Sequence, residues 1–204
     1  MKSLIRRTAS QLLPVACSIL LTAAMGGAAF AGDITGKVTV TGLRSAQGVV
    51  VYIDGNFPGS GGHATIDQRK MTFIPHVLAV QKGATVEFLN SDPLGHNVYW
   101  PSVGGNKGLA HNLGTWPQGQ KKSFTFNTPG AVPLLCNVHA EMSAYIVVVP
   151  SPYFATTDGA GNFVIRGVPP GHYTIKTWAE RGRATTQQVD VGGGPVTVNL
   201  TVGR

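Results

Sequence analysis

A short loop between two apolar runs constrains this chain more than any other stretch. The segment 132–150 begins and ends with strand-forming residues, and Cys136, His139 and Met142 lie between them at spacings of three. A thiolate, an imidazole and a thioether are donor types that suit copper. His96, in a turn-rich segment 40 residues before the cysteine, would supply a second imidazole. The sequence therefore predicts a copper site at the edge of a β-structure.

Other interpretations of these residues stay open at this point. A single cysteine in an apolar strand is usually a small buried hydrophobe, and Met142 alone would be core filler. A Cys2His2 zinc site needs a second suitable cysteine, which the sequence does not offer. A Cys–His nucleophilic pair is chemically possible, but it gives the methionine no task. The coincidence of four donor residues favours copper.

The residues of this segment resemble those of cupredoxins, the family of plastocyanin and amicyanin. His96 followed by Asn97 matches the family's upstream ligand, and the Cys-x2-His-x2-Met loop matches the short amicyanin-type spacing. The resemblance covers roughly residues 63–150 and implies a Greek-key β-sandwich with one type 1 copper. It also implies that Asn97 lies near the ligand sulfur and that electrons leave through the edge of His139.

The first 31 residues have the features of an export signal rather than of a folded domain. Lys2 and the pair Arg6–Arg7 precede an apolar stretch, and Ala29-Phe-Ala31 is a small-residue cleavage motif. Cleavage after Ala31 would give a periplasmic or secreted protein with no membrane span. An uncleaved anchor is the alternative, but the apolar stretch is shorter than the roughly 20 residues that cross a bilayer. Ordinary export is favoured over the twin-arginine route, because the rest of that motif is missing.

Removing the signal changes the charge and the cysteine content. The whole chain carries 16 Lys and Arg against 9 Asp and Glu, and three of the basic residues lie in the signal, so the net charge falls from +7 to about +4. No basic run suggests nucleic-acid binding, whereas a mildly basic surface would suit an acidic redox partner. Cys136 is the cysteine that stays, so no internal disulfide can form.

The mature sequence predicts an all-β fold. Gly and Pro are abundant, at 27 and 13 residues, and no stretch sustains helical periodicity. The segment 101–120 is expected to be irregular. Strands are expected over 34–40, 48–53, 64–73, 85–89, 98–100, 122–126, 132–136, 143–149, 163–166, 173–178, 187–191 and 196–202.

The sequence changes character after Pro150. The motif Asp-Gly-x-Gly-x-Phe begins at Asp158, and Val-Pro-Pro-Gly-x-Tyr-x-Ile begins at Val168. These motifs resemble the carboxypeptidase regulatory-like, transthyretin-like sandwich module and assign residues 151–204 to it. A piece of 54 residues with about four strands buries too little surface to fold well alone.

Residues 32–62 resemble the opening strands of the same module. We therefore expect a discontinuous transthyretin/Ig-like β-sandwich made of 32–62 and 151–204, with the cupredoxin domain 63–150 inserted into it. The alternative is two sequential domains divided near Pro150. If the sandwich is discontinuous, deleting residues 32–50 should unfold the C-terminal sandwich and spare the copper site.

The sequence thus predicts an exported blue-copper protein that shuttles single electrons between redox partners and is not an enzyme. One alternative is a copper carrier or storage protein that uses the same ligands. Another is a structural binding protein that uses no metal. Of the other histidines, His76 is expected to be a strand-edge residue, and the ones expected to be exposed are His63, His111 and His172.

Overall fold

The structure is a computed structural model that describes residues 31–59 and 61–204. Residues 1–30, nearly all of the predicted export signal, lie outside the described residues, so the signal stays a prediction. Within the described ranges, no helix combines the length and the apolar character needed to cross a membrane.

The described residues are organised as β-strands, with a short 3-10 helix over Lys107–Leu109. The predicted all-β fold class is confirmed. The strands in chain order are β1 (Gly32–Thr41), β2 (Val50–Asp54), β3 (His63–Arg69), β4 (Thr72–Ile74), β5 (Val77–Gln81), β6 (Ala84–Asn90), β7 (His96–Trp100), β8 (His111–Trp116), β9 (Lys121–Phe126), β10 (Gly130–Leu135), β11 (Ser143–Val149), β12 (Phe154–Thr156), β13 (Asn162–Val168), β14 (Gly171–Trp178), β15 (Thr186–Val191), β16 (Val196–Thr197) and β17 (Leu200–Gly203).

The middle of the chain, β3 to β11, forms two sheets around one apolar core, and we call it the inner sandwich. One sheet has the order β5-β11-β10-β7-β8 and the other β4-β3-β6-β9. In Ala84–Asn90 every second residue is buried, because alternate side chains of a strand point to the same face. The largest fully buried side chains of this core are Trp100, Trp116, Phe73 and Phe88. The core fixes β7 and β10, which carry or adjoin the predicted ligands.

Strands from both ends of the described chain pair with each other, and we call this group, β1, β2 and β12 to β17, the outer sandwich. β1 pairs with β13, β16 and β17, and β2 lies between β12 and β14. Their apolar side chains form a second core. Gly36 allows β1 to approach Val198 closely, since a Cβ on residue 36 would lie 2.7 Å from the Val198 carbonyl carbon.

β11 packs against side chains of both sandwiches. Within the range 144–148, the even-numbered residues enter the inner core. On the opposite face, Val147 and Val149 form a separate apolar cluster with Val50 of β2. A strand with apolar residues on both faces is expected to be buried on both sides. The back of the β5-β11 sheet therefore contacts the sheet that contains β2.

The strand expectations were wrong in five places. β5, at Val77–Gln81, was not expected, and the expected strand 64–73 is divided into β3 and β4 by a turn at residues 70–71. β8, at His111–Trp116, crosses a segment expected to be irregular; it pairs only with β7 at the edge of its sheet, and most of its side chains stay outside the core. β12 is also an edge strand that pairs only with β2. The expected strand 196–202 is split, because the Asn199 side chain accepts the Lys37 backbone N–H at 3.1 Å in place of a ladder bond.

Candidate metal centre

The predicted ligand loop joins two paired strands. β10 and β11 are antiparallel, and the pair Leu135–Ser143 closes the loop that runs from Cys136 to Met142. The backbone N–H of Met142 donates to the carbonyl oxygen of His139 at 3.1 Å, so the loop ends in a tight turn. Backbone hydrogen bonds thus hold both ends of the loop.

His96 reaches this loop from the neighbouring strand. It is the first residue of β7, whereas the sequence placed it at the end of a turn. Tyr99 of β7 pairs with Leu135 of β10, the residue before Cys136. Because β7 runs beside the strand that leads into the loop, the His96 side chain lies next to it and is fully buried.

Three of the four predicted ligands form one cluster. The donor atoms of His96, Cys136 and His139 all lie within 4.8 Å of one another. The Nδ1 atoms of the two histidines are 2.9 Å apart. His96 and Cys136 are buried, and His139 is partly exposed. Met142, the fourth predicted ligand, is buried on the same loop.

The two facing imidazole nitrogens show that the cluster fits a metal ion. A neutral imidazole has one N–H and one lone pair. At 2.9 Å, either one Nδ1 donates to the other or both lone pairs face a shared cation. The Cys136 sulfur beside them is a soft donor, and imidazole with thiolate suits copper or zinc. A thioether on the same loop favours copper, so the residues present fit a copper ion.

Asn97 connects the cysteine side of the cluster to its surroundings. Its backbone N–H donates to the Cys136 Sγ at 3.4 Å. Its side-chain oxygen accepts the Asn137 backbone N–H at 3.3 Å, and its side-chain nitrogen donates to the Asn112 Oδ1 at 2.8 Å. These bonds join β7, the ligand loop and β8. Such contacts around a ligand orient it and tune the bound metal.

Asp92 is a buried carboxylate beside the cluster that the sequence analysis missed. Its Oδ2 lies 3.2 Å from the His96 Nε2, and that nitrogen has no hydrogen-bond partner of acceptable geometry among the described residues. The Met71 backbone N–H, 2.7 Å from Oδ2, is the main cause that holds the pKa of Asp92 below its usual value. The sequence did contain a signal for this contact, because Asp92 is an acidic residue four positions before the candidate ligand His96.

The other histidines are not part of this cluster. His76 directs Nε2 at the Glu180 carboxylate, 2.7 Å away, and Nδ1 at the Ser143 carbonyl oxygen, 3.2 Å away. It therefore links the first residue of β11 to the turn after β14. The histidines that lie exposed, as expected, are His63, His111 and His172.

The middle of the chain matches a known protein family. The sequence profile described as copper binding proteins, plastocyanin/azurin family, matches residues 61–149. This range is close to the predicted cupredoxin domain at 63–150. No curated protein matches the chain.

Several solved structures are similar to part of the chain. A purple cupredoxin from Nitrosopumilus maritimus is 22% identical, with 42% of this chain and 98% of that chain covered and a TM-score of 0.38. A reduced Cu(I) form of an amicyanin variant at pH 4 is 26% identical, with 48% and 97% covered and a TM-score of 0.39. Because these TM-scores are low, the assignment rests on the family profile. Residues 61–149 therefore match the plastocyanin/azurin family of copper binding proteins, in agreement with the predicted cupredoxin resemblance.

Proposed function

We propose that this protein carries single electrons through one type 1 copper ion held by His96, Cys136, His139 and Met142. The observation that carries the proposal is the buried thiol beside two facing imidazoles, inside a domain of a copper-binding family. Two histidines, one cysteine and a weak axial methionine are the ligand set of electron-transfer copper sites. Electron transfer of this kind needs no substrate chemistry, so we propose that the protein is not an enzyme.

The chain's own residues would hold the ligands with little movement. When bound, copper supplies one-electron chemistry between Cu(I) and Cu(II). Cys136 would bind as the thiolate, and the Asn97 N–H would stabilise the charge on its sulfur. The loop is closed by the β10–β11 ladder, and His96 begins the adjoining strand. Ligands fixed in this way favour a small reorganisation energy and fast electron transfer.

His139 would provide the electron route to the surface. It is partly exposed, whereas His96 is fully buried. Val138, next to it, is 53% exposed, and Leu94, in the loop before His96, is 46% exposed. Single exposed apolar residues are common, but two on the loops that carry the ligands suit contact with a protein. We therefore expect a redox protein as the partner and no nucleic acid.

We propose that residues 32–62 and 151–204 form one carboxypeptidase regulatory-like sandwich, into which the cupredoxin domain is inserted. The pairing of β1 with β13, β16 and β17 supports this division, as does the pairing of β2 with β12 and β14. The separate apolar core of the outer sandwich also supports it. This sandwich would stabilise the copper domain or dock it to a partner.

We propose that the protein is exported and works in the periplasm or outside the cell. The basic start, the apolar stretch and the small-residue motif within residues 1–31 support this location. A mass measurement on protein recovered from the periplasm tests it: cleavage after Ala31 leaves a chain that begins at Gly32. Recovery of the intact chain from the membrane fraction would contradict it.

Reversible cycling separates an electron carrier from a copper carrier. The copper-loaded mature protein is taken repeatedly between Cu(II) and Cu(I) in the presence of a Cu(I)-selective chelator. We expect the bound copper to give the same Cu(II) absorption after each cycle, whereas a copper carrier would transfer its metal to the chelator. His139→Ala should lose reversible cycling, and His172→Ala, at an exposed histidine outside the cluster, is the matched control. Rapid copper loss from the unmodified protein would contradict the proposal.

A further inference from the structure

A cleft of about 540 Å³ lies at the junction of the inner and outer sandwiches. The loop after β1, the start of β5, the turn after β14 and the segment after β17 line it, and none of the predicted copper ligands does. Its volume is in the range of small-molecule sites, which occur preferentially between domains. The cleft is therefore a candidate ligand site separate from the metal centre.

Three arginines from distant parts of the chain line this cleft: Arg44, Arg181 and Arg204. Glu180 also lines it, but its carboxylate is 2.7 Å from the His76 Nε2 and 3.9 Å from the Arg181 Nε. Within the described part of the chain, Arg44 and Arg204 form no side-chain salt bridge. The cleft thus has an excess of positive side-chain charge.

The turn that presents Arg181 has a backbone conformation that favours glycine. Arg181 has a φ of +60°, which lies in the left-handed region. Gly182 closes the turn by donating its N–H to the Ala179 carbonyl oxygen at 3.0 Å. A Cβ on residue 182 would lie 2.9 Å from side-chain atoms of both Ala179 and Val202, so the turn is tightly packed. Strained residues of this kind cluster at functional sites, and here the packing holds the backbone of the turn that places Arg181 at the cleft.

We propose that this cleft binds a small anion with at least two carboxylate or phosphate groups. Arginine is suited to both groups, because its planar guanidinium can donate two parallel hydrogen bonds to their oxygens. Arginines that approach from separate segments are best matched by a ligand with more than one charged group. Glu180 does not oppose such a ligand strongly, since His76 and Arg181 already face its oxygens.

Isothermal titration calorimetry on the full mature chain tests this site with citrate and pyrophosphate at constant ionic strength. We expect saturable binding of at least one of the two, and the tighter anion identifies carboxylate or phosphate as the preferred group. Arg44→Ala should weaken binding about tenfold or more, the usual effect of losing a hydrogen bond to a charged group. The titration uses copper-free protein, so its result does not depend on the electron-transfer proposal.

Arg181→Gly separates a binding role from a structural one. Glycine adopts the left-handed conformation without strain, so thermal stability should be kept or raised while anion affinity falls about tenfold. Arg166→Ala, at an exposed arginine of β13 outside the cleft, is the matched control and should bind as the unmodified protein does. No saturable binding of either anion, or equal affinity in all three variants, would overturn the proposal.

Discussion

Gly36→Ala is expected to destabilise the outer sandwich while leaving the copper domain folded. Gly36 lies in β1, and the added Cβ would meet the Val198 carbonyl group, with 2.7 Å to its carbon and less to its oxygen. It would also lie 3.0 Å from the Phe163 Cε1. Because a backbone carbonyl cannot swing aside as a flexible side chain can, β1 must move away from the segment that contains Val198.

The cost of this change follows from the contacts that are lost. Overpacking a well-packed site costs about 1–3 kcal/mol, and a contact with backbone belongs near the upper end of that range. Separation also breaks the hydrogen bond from the Val198 N–H to the Thr35 carbonyl oxygen, 2.8 Å long, which is worth about 1 kcal/mol. We expect the free energy of unfolding of the outer sandwich to fall by about 3 kcal/mol.

Hydrogen exchange followed by mass spectrometry measures the two sandwiches separately. Peptides over β13 should lose protection in Gly36→Ala, and peptides over β10 should keep most of theirs. Gly193→Ala is the matched control, because a Cβ there meets nothing within 4 Å and its φ lies outside the left-handed region. Equal protection in the two variants would refute the steric reasoning. Equal loss over β10 and β13 would refute the discontinuous organisation.

Three further predictions concern the axial ligand, a turn carboxylate and the junction. Met142→Leu should keep copper but raise the reduction potential, because the thioether tunes the potential. Voltammetry should show a rise of about 60 mV or more, which is a tenfold shift in the equilibrium constant for one electron. Copper loss would mean that the loop is misassigned. A hydrogen bond from the Asn162 backbone N–H is the main cause that lowers the pKa of Asp158. The ionised carboxylate therefore stabilises the fold fully above its unfolded pKa of about 3.9, and this stabilisation is lost as the pH falls through the lower pKa of the folded state. Asp158→Asn should therefore lower the melting temperature at pH 7, by an amount that shrinks below about pH 4; a pH-independent difference would contradict this. At the junction of the two sandwiches, Val147→Ala should lower the free energy of unfolding by about 2 kcal/mol through lost burial, and Glu180→Gln by less than about 1 kcal/mol. Denaturant unfolding compares the two variants. A larger loss in Glu180→Gln would show that the contact between Glu180 and His76 dominates.

The sequence predicted the parts of the fold in which burial leaves a pattern. The all-β class is confirmed, and it was predictable because strands such as Ala84–Asn90 alternate between buried and half-exposed residues. The cupredoxin domain was predicted from the resemblance of the ligand loop, and the family profile matches that part of the chain. β8 left no such pattern, since it is held by pairing at a sheet edge and most of its side chains stay outside the core. Periodicity reports side-chain burial and does not detect strands that depend mainly on backbone hydrogen bonds.

The candidate sites also differ in how much of each can be predicted from local sequence. The candidate ligands of the loop could be predicted because three of them lie close together in the sequence, and His96 because its type completes the set. Contacts between distant residues left no local signal: His76 meets Glu180 across 104 positions. The arginine cleft likewise depends on how the two sandwiches pack, which no local pattern encodes.

The visible absorption spectrum of the mature protein loaded with Cu(II), recorded beside that of Cys136→Ala, tests the central claim most directly. We predict an intense blue band from thiolate-to-copper charge transfer, which a reductant bleaches and an oxidant restores. Cys136→Ala should lack this band even when Cu(II) is present. Copper bound without the band in the unmodified protein, or the same band in Cys136→Ala, would contradict a type 1 site at Cys136.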